Sequence, residues 1–222
     1  MSSLKGPMRE LTTRTVVGVI LIAIALVATF FGGTGFAIMV ALVATIMYVE
    51  WTKMLSNWGA AWKVYGFFYC LLPAVSLLWI REQAEYAGVG RGPDLLIWVF
   101  LVVWSTDIGA YFTGRAIGGP RLAPSISPNK TIAGLVGGVA SAAILAGAWA
   151  TLVKLPAVLL WLSVPLAVAA QLGDLFESGL KRRAGVKDSG TWLPGHGGLL
   201  DRLDGLVPVA MLTAGLMLVG SL

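Results

Sequence analysis

The fold is decided by residues 156–222. They open with PAVLLWLSVPLAVAAQLGDLFE (Pro156–Glu177), continue through SGLKRRAGVKDSGTWLPGHGGLLDRLD (Ser178–Asp204) and Gly205, and close with LVPVAMLTAGLMLVGSL (Leu206–Leu222). Each apolar run approaches the roughly 20 residues that cross a bilayer as a helix. Between them lies a dense polar insert holding the only histidine of the chain. Cations suited to phosphate sit there beside carboxylates suited to a divalent metal. Such groups are costly next to hydrocarbon, so the pattern points to chemistry on a phosphorylated substrate at a membrane surface.

The rest of the chain has the same character. Its 222 residues are 57% hydrophobic and 12% charged, with a mean hydropathy of +0.83. Soluble domains average about 45–50% apolar and about 25% charged, which excludes an ordinary soluble fold. Apolar runs at about 15–31, 36–51, 63–80, 95–113, 132–153, 156–177 and 206–222 predict an all-α polytopic membrane protein. The expected architecture is one membrane domain, 1–222, built as a bundle of about seven transmembrane helices. The first run reads as a retained helix that turns through Gly32–Gly35 into a tight hairpin with the second. Cys70 has no second cysteine to pair with and is expected in a helix interface. Gly134, Gly137 and Gly138 have the spacing that lets helices approach closely. The expected surroundings are membrane lipids, with no nucleic-acid partner.

Basic residues set the orientation. With the N-terminus in the cytoplasm, the inner segments carry Lys5, Arg9, Arg14, Lys53, Lys63, Arg115, Arg121, Lys130, Lys181, Arg182, Arg183, Lys187 and Arg202. The outer loops carry only Arg81, Arg91 and Lys154. Residues 114–131 and 178–205 then share the cytoplasmic face and can build one site.

Acids within apolar helices are functional candidates by default. Asp107 lies in WSTDIGAYFTG, and Asp174 and Glu177 in QLGDLFES. For Asp107 the alternative is a structural pair with a cation such as Arg115. Asp201 and Asp204 are spaced i, i+3 and face one way if the last helix begins near Leu200. With Asp174 they make a candidate site for a hard divalent cation such as Mg²⁺; the alternative is helix capping. Lys181, Arg182, Lys187 and Arg202 are candidate phosphate contacts, whereas Arg183 reads as a headgroup anchor. Gly197 and Gly198 in the GHGG turn would let backbone amides approach a phosphate. His196 cannot belong to a multi-histidine metal site; it binds phosphate, moves a proton or braces the loop. In SISPNKTIAG (Ser125–Gly134), Lys130-Thr131 lacks the glycines of a phosphate-binding loop. Ser127, Lys130 and Thr131 remain candidate phosphate or nucleotide contacts.

The segment S-G-L-K-R-x4-K-D-S-G-x2-L-P-G-H-G-G-L-L-D-R-L-D resembles, throughout Ser178–Asp204, the signature of the phosphatidate cytidylyltransferases, or CDP-diacylglycerol synthases. DIGAYFTGR (Asp107–Arg115) and SPNKTIAG (Ser127–Gly134) agree in the same order, so the resemblance covers the C-terminal half, about 95–222. The N-terminal half is similar only in hydropathy and in a basic start at Arg14. Asn129 departs from the family, where lysine is common. The resemblance implies transfer of a cytidylyl group from CTP to phosphatidic acid. It implies Mg²⁺ held by Asp174, Asp201 and Asp204, with a monovalent cation such as K⁺ as a companion. The implied catalytic set is Asp174, Lys181, Arg182, Lys187, Asp188, His196, Asp201, Arg202 and Asp204. The implied substrate contacts are Asp107, Arg115, Ser127, Lys130, Thr131, Gly197 and Gly198. It also implies a bacterial inner membrane with the site facing the cytoplasm, and leaves a homodimer open. The alternatives are a CTP-dependent lipid kinase and an ion-coupled transporter. A transporter would be expected to put its charges near the midplane of repeated halves, and no repeat is evident.

Overall fold

The computed structural model describes residues 5–83, 92–192 and 197–220. Long apolar runs leave the backbone no water to bond with, so the chain satisfies itself as helix. The helices are α1 (Lys5–Phe31), α2 (Gly33–Met54), α3 (Ala60–Glu82), α4 (Gly92–Ile117), α5 (Ile132–Leu152), α6 (Val158–Arg183), the single turn α7 (Leu200–Leu203) and α8 (Leu206–Leu218). Among the described residues, α2 to α6 are long and apolar enough to cross a bilayer; Val16–Phe31 and Leu206–Leu218 are shorter apolar segments. Phe30, Phe31, Phe67, Phe112, Ile144 and Trp161 point outward, a surface suited to lipid rather than water. The protein is an integral membrane protein.

Between α4 and α5 stands an element the apolar pattern did not announce. Strands β1 (Arg121–Ala123) and β2 (Ser127–Thr131) form an antiparallel hairpin that pairs Arg121 with Thr131 and Ala123 with Ser127. Gly118 and Gly119 adopt φ of 67° and 91°, a region closed to most side chains, and turn the chain out of α4 into β1. Thr131 ends the hairpin and caps α5, its hydroxyl accepting from the Gly134 amide at 3.0 Å.

The core centres on α4, where Leu96, Trp98, Val99 and Val102 are wholly buried. Helix α5 lies against it through the small residues expected there. A Cβ at Gly137 would stand 2.1 Å from Thr113 Oγ1, and one at Gly138 2.7 Å from the Thr106 carbonyl. A second apolar cluster joins Met47 and Trp51 of α2, and Leu55 just after it, to Cys70, Leu180, Leu200 and Val207. It puts Cys70 in a helix interface and brings the end of α2 against α7.

Helices α1 and α2 meet at Gly32, with φ of 61°. Arg81 of α3 donates there to the carbonyls of Thr29 (2.5 Å) and Phe30 (3.2 Å), closing the C-terminus of α1.

Candidate active site

One cavity of about 1090 Å³ joins the charged residues to the interior of the bundle. Asp107, Arg115, Lys130, Asp174, Lys181, Asp188, Asp201, Arg202 and Asp204 line its hairpin end. Away from that end its walls become apolar: Leu21, Ile22 and Ala25 of α1, Phe36, Met39 and Val40 of α2, Ala74 and Leu77 of α3, and Phe100 and Trp104 of α4.

Two polar clusters build the charged end. In the first, Lys130 at the close of the hairpin reaches Asp174 Oδ2 at 2.5 Å and donates to Gln171 Oε1 at 3.0 Å. Gln171 Nε2 donates in turn to Asp107 Oδ1 at 3.3 Å, and Ser178 Oγ to Asp174 Oδ1 at 3.2 Å. The hairpin loop and α6 therefore meet directly. Asp107 is bonded to Gln171, while Arg115 donates to the Tyr111 hydroxyl at 3.3 Å.

Asp201 centres the second cluster. Its Oδ1 accepts from Lys181 Nζ at 2.6 Å, and its Oδ2 from the amides of Ser189 (3.0 Å) and Gly198 (2.8 Å). Lys181 also bonds Glu177 at 3.2 Å. Burial alone would push the Asp201 carboxyl up, but the Lys181 hydrogen bond and charge, with the Gly198 and Ser189 amides, hold it below the usual carboxylate range. Asp204, three residues on, is pushed well above that range by burial first, then by the Asp174 and Glu177 carboxylates. The backbone stays right-handed through Asp204 and Gly205, so both acids reach the cavity although α7 and α8 are separate helices.

Arg182, Lys187, Ser127, Gly197 and Gly198 lie off the cavity wall. Arg182 is exposed and donates to the Ile126 carbonyl at 3.2 Å, tying the hairpin turn to the end of α6. Lys187 and Arg183 are exposed, and Ser127 sits opposite Ala123 in the hairpin register. Thr131 lines the wall while capping α5. The Gly198 amide is committed to Asp201, and a Cβ at Gly197 (φ 80°) would stand 2.8 Å from Asp201 Oδ2. His196 lies outside the described residues.

Sequence reasoning passed over Gln171, Ser189 and Glu50. Glu50 is 1% exposed, and its carboxylate accepts from the amides of Leu199 (2.9 Å) and Leu200 (2.8 Å). The signal was present: Glu50 lies within the apolar run 36–51, and an acid within an apolar run is the feature that singled out Asp107 and Asp174.

A hard cation prefers carboxylate oxygen. Glu177 Oε1 is buried without a hydrogen-bond partner, and Asp204 stands close enough to interact with that carboxyl. That orphaned oxygen is the kind of atom an oxygen-preferring divalent ion relieves, whereas Asp174 and Asp201 already accept at both of their oxygens. Among the described residues, no three acidic or metal-binding side chains already converge on one point.

The family model described as "Cytidylyltransferase family" matches residues 64–219. The phosphatidate cytidylyltransferase of Brucella suis is 36% identical over an alignment of 256 residues, covering 92% of this chain and 92% of that protein. The Bacillus subtilis protein of that name is 39% identical over 185 residues, covering 79% of this chain and 66% of the relative. That of Staphylococcus haemolyticus is 45% identical over 139 residues, 61% of this chain and 53% of the relative.

Proposed function

This chain belongs to the cytidylyltransferase family, and we propose on that premise that it transfers a cytidylyl group from CTP to phosphatidic acid, giving CDP-diacylglycerol and pyrophosphate. The observation that carries the reading is the two-faced cavity. A substrate with a phosphate head and apolar tails needs a charged end continuous with an apolar one, and the wall changes in that sense between Asp107 and Trp104.

A phosphate oxygen of phosphatidic acid attacks the α-phosphorus of CTP. The new P–O bond forms as the bond to the β-phosphate oxygen breaks, and pyrophosphate leaves with that electron pair. The attacking oxygen is already anionic at neutral pH, so no strong base is required. The residues have to bring two polyanions together and stabilise the charge that shifts toward the leaving group. Lys130, Lys181 and Arg202 line the wall where that charge would develop. Lys130 and Lys181 are held there by Asp174 and Asp201. Asp107 orients Gln171, which in turn holds Lys130.

Asp174, Asp204 and Asp201 are the proposed Mg²⁺ ligands, with a monovalent cation such as K⁺ as companion. Bound there, the ion would neutralise phosphate charge and polarise the phosphorus centre. We place the N-terminus and the charged end on the cytoplasmic side of a bacterial inner membrane, with seven spans counting the two shorter apolar helices. The basic-residue asymmetry supports this orientation. A homodimer is the proposed oligomeric state.

The test uses purified protein with phosphatidic acid, Mg²⁺ and CTP labelled at either the α- or the γ-phosphate. The expected result is α-label in the lipid and γ-label in pyrophosphate. Label from the γ-phosphate in the lipid would make the protein a lipid kinase. Absence of transfer from either position, in folded protein, would reject both.

A further inference from the structure

We propose that Glu50 is a positioning residue for the transfer reaction: from the end of α2 it locks the chain at 189–190 and 197–200, and so fixes Asp201 and Lys181 in the cavity wall. The inference rests on the cytidylyl-transfer reading and assigns the N-terminal half a part in the chemistry beyond walling the apolar end.

The contacts are specific. Besides the Leu199 and Leu200 amides, Glu50 Oε2 accepts from Ser189 Oγ at 3.4 Å. Two glycines clear its path: a Cβ on Gly190 would stand 2.5 Å from Glu50 Oε1, and one on Gly198 2.7 Å from Oε2. Trp51, wholly buried, donates to the Trp62 carbonyl at 2.8 Å and lies where a Gly66 Cβ would be, fixing the neighbouring backbone of α2.

Glu50 and Asp201 interleave on one short segment. Asp201 takes the amides of Ser189 and Gly198, while Glu50 takes the Ser189 hydroxyl and the amides of Leu199 and Leu200. Loosening one carboxylate therefore displaces the groups that orient the other. Asp201 follows Leu200 directly, so movement there carries into its contact with Lys181. Glu50 is absent from the cavity wall while Asp201 and Lys181 belong to it, so its influence passes through them.

A misplacement of about 1 Å in a reacting constellation costs on the order of a hundredfold in rate. Glu50→Gln keeps the shape but offers an amide N–H₂ toward backbone donors. It is expected to lower kcat about tenfold with KM for CTP and phosphatidic acid within about twofold, the signature of lost transition-state alignment. Gly190→Ala should give the same pattern by pushing the carboxylate aside. In a Glu50→Ala background, Gly190→Ala should add nothing, because its Cβ has no carboxylate to strike; a merely structural glycine would lose further activity there.

These rates are measured on full-length protein in detergent, with size-exclusion profile and thermal midpoint taken as the folding check. Wild-type kcat in folded Glu50→Gln overturns the proposal, as does a loss confined to KM or an additive Gly190→Ala. An inactive wild type would reject the cytidylyl-transfer reading and this proposal with it. An active wild type with an indifferent Glu50→Gln rejects this proposal alone.

Discussion

The two ends of the cavity are built on different terms. The hairpin end is directional: Asp107, Gln171, Lys130 and Asp174 are linked in one set and Lys181 with Asp201 in another, at 2.5–3.3 Å, and shifting one atom breaks a bond. The far end is walled by Ala25, Phe36, Met39, Ala74 and Leu77, which offer only apolar surface. Burial of an acyl tail is non-directional and scales with area, so many side chains could do that work. Phosphate chemistry tolerates few substitutions at fixed positions. A change at the first end should therefore cost turnover, and a change at the second should cost discrimination between lipids.

The largest expected effect comes at the charged end. Asp174→Asn leaves Lys130 without its carboxylate, and Asp201→Asn removes the charge that holds Lys181. Each should lower kcat by roughly 10²–10³ with the protein folded, the scale seen when one preorganised electrostatic element is lost. Steady-state rates per folded molecule check this; normal turnover in Asp201→Asn would refute its place in the site.

A smaller effect is expected at the apolar end. Ala74→Phe fills space that a tail would use. One methylene group of misfit changes discrimination by about 10- to 200-fold, and a loss of about tenfold in kcat/KM for long-chain phosphatidic acid is expected. A short-chain substrate in detergent should be handled as by the wild type. Equal losses on both would mean that the substitution disturbs the charged end instead.

The smallest effect separates two acids within the charged end. Asp201 is held below the usual range, so its stabilisation is present above an unfolded value of about 3.9 and is lost as pH falls through the folded one. Asp204 is pushed above that range, so its favourable contribution lies below the unfolded value and disappears as pH rises through the folded one. At pH 8 without divalent metal, Asp204→Asn should raise the thermal midpoint by roughly 2–4 °C, the shift that about 1 kcal/mol gives in a chain of this size. Asp201→Asn should lower it. Matching signs in thermal melts would remove the distinction.

The same contrast explains what the amino-acid sequence made legible. Apolar runs announce helices because each must satisfy its backbone alone, and Gly134, Gly137 and Gly138 announced a close approach to α5 without naming α4 as the partner. The 121–131 hairpin was hidden because three- and five-residue strands carry almost no periodic signal, and Pro128 argues locally against one. Asp107, Asp174, Asp201 and Asp204 were legible as charges in costly places. The partners that decide their behaviour were not: Gln171 is an ordinary polar residue in a helix, and Glu50 meets Leu199 across 149 positions of chain. The N-terminal helices were legible only as apolar, since lining a tail chamber demands little more than that.

In the proposed reaction one cavity receives the lipid, its head at Lys130 and Lys181 and a tail among α1, α2 and α3. The most direct measurement is photolabelling with phosphatidic acid carrying a diazirine at the end of one acyl chain. It is done with CTP present and divalent metal withheld, and modified residues are mapped by mass spectrometry. Labels are expected on Leu21, Met39 or Leu77, reduced by excess unlabelled phosphatidic acid and displaced by Ala74→Phe. Labels confined to outward-facing residues such as Ile144 or Phe112, indifferent to competitor, would contradict this placement of the lipid.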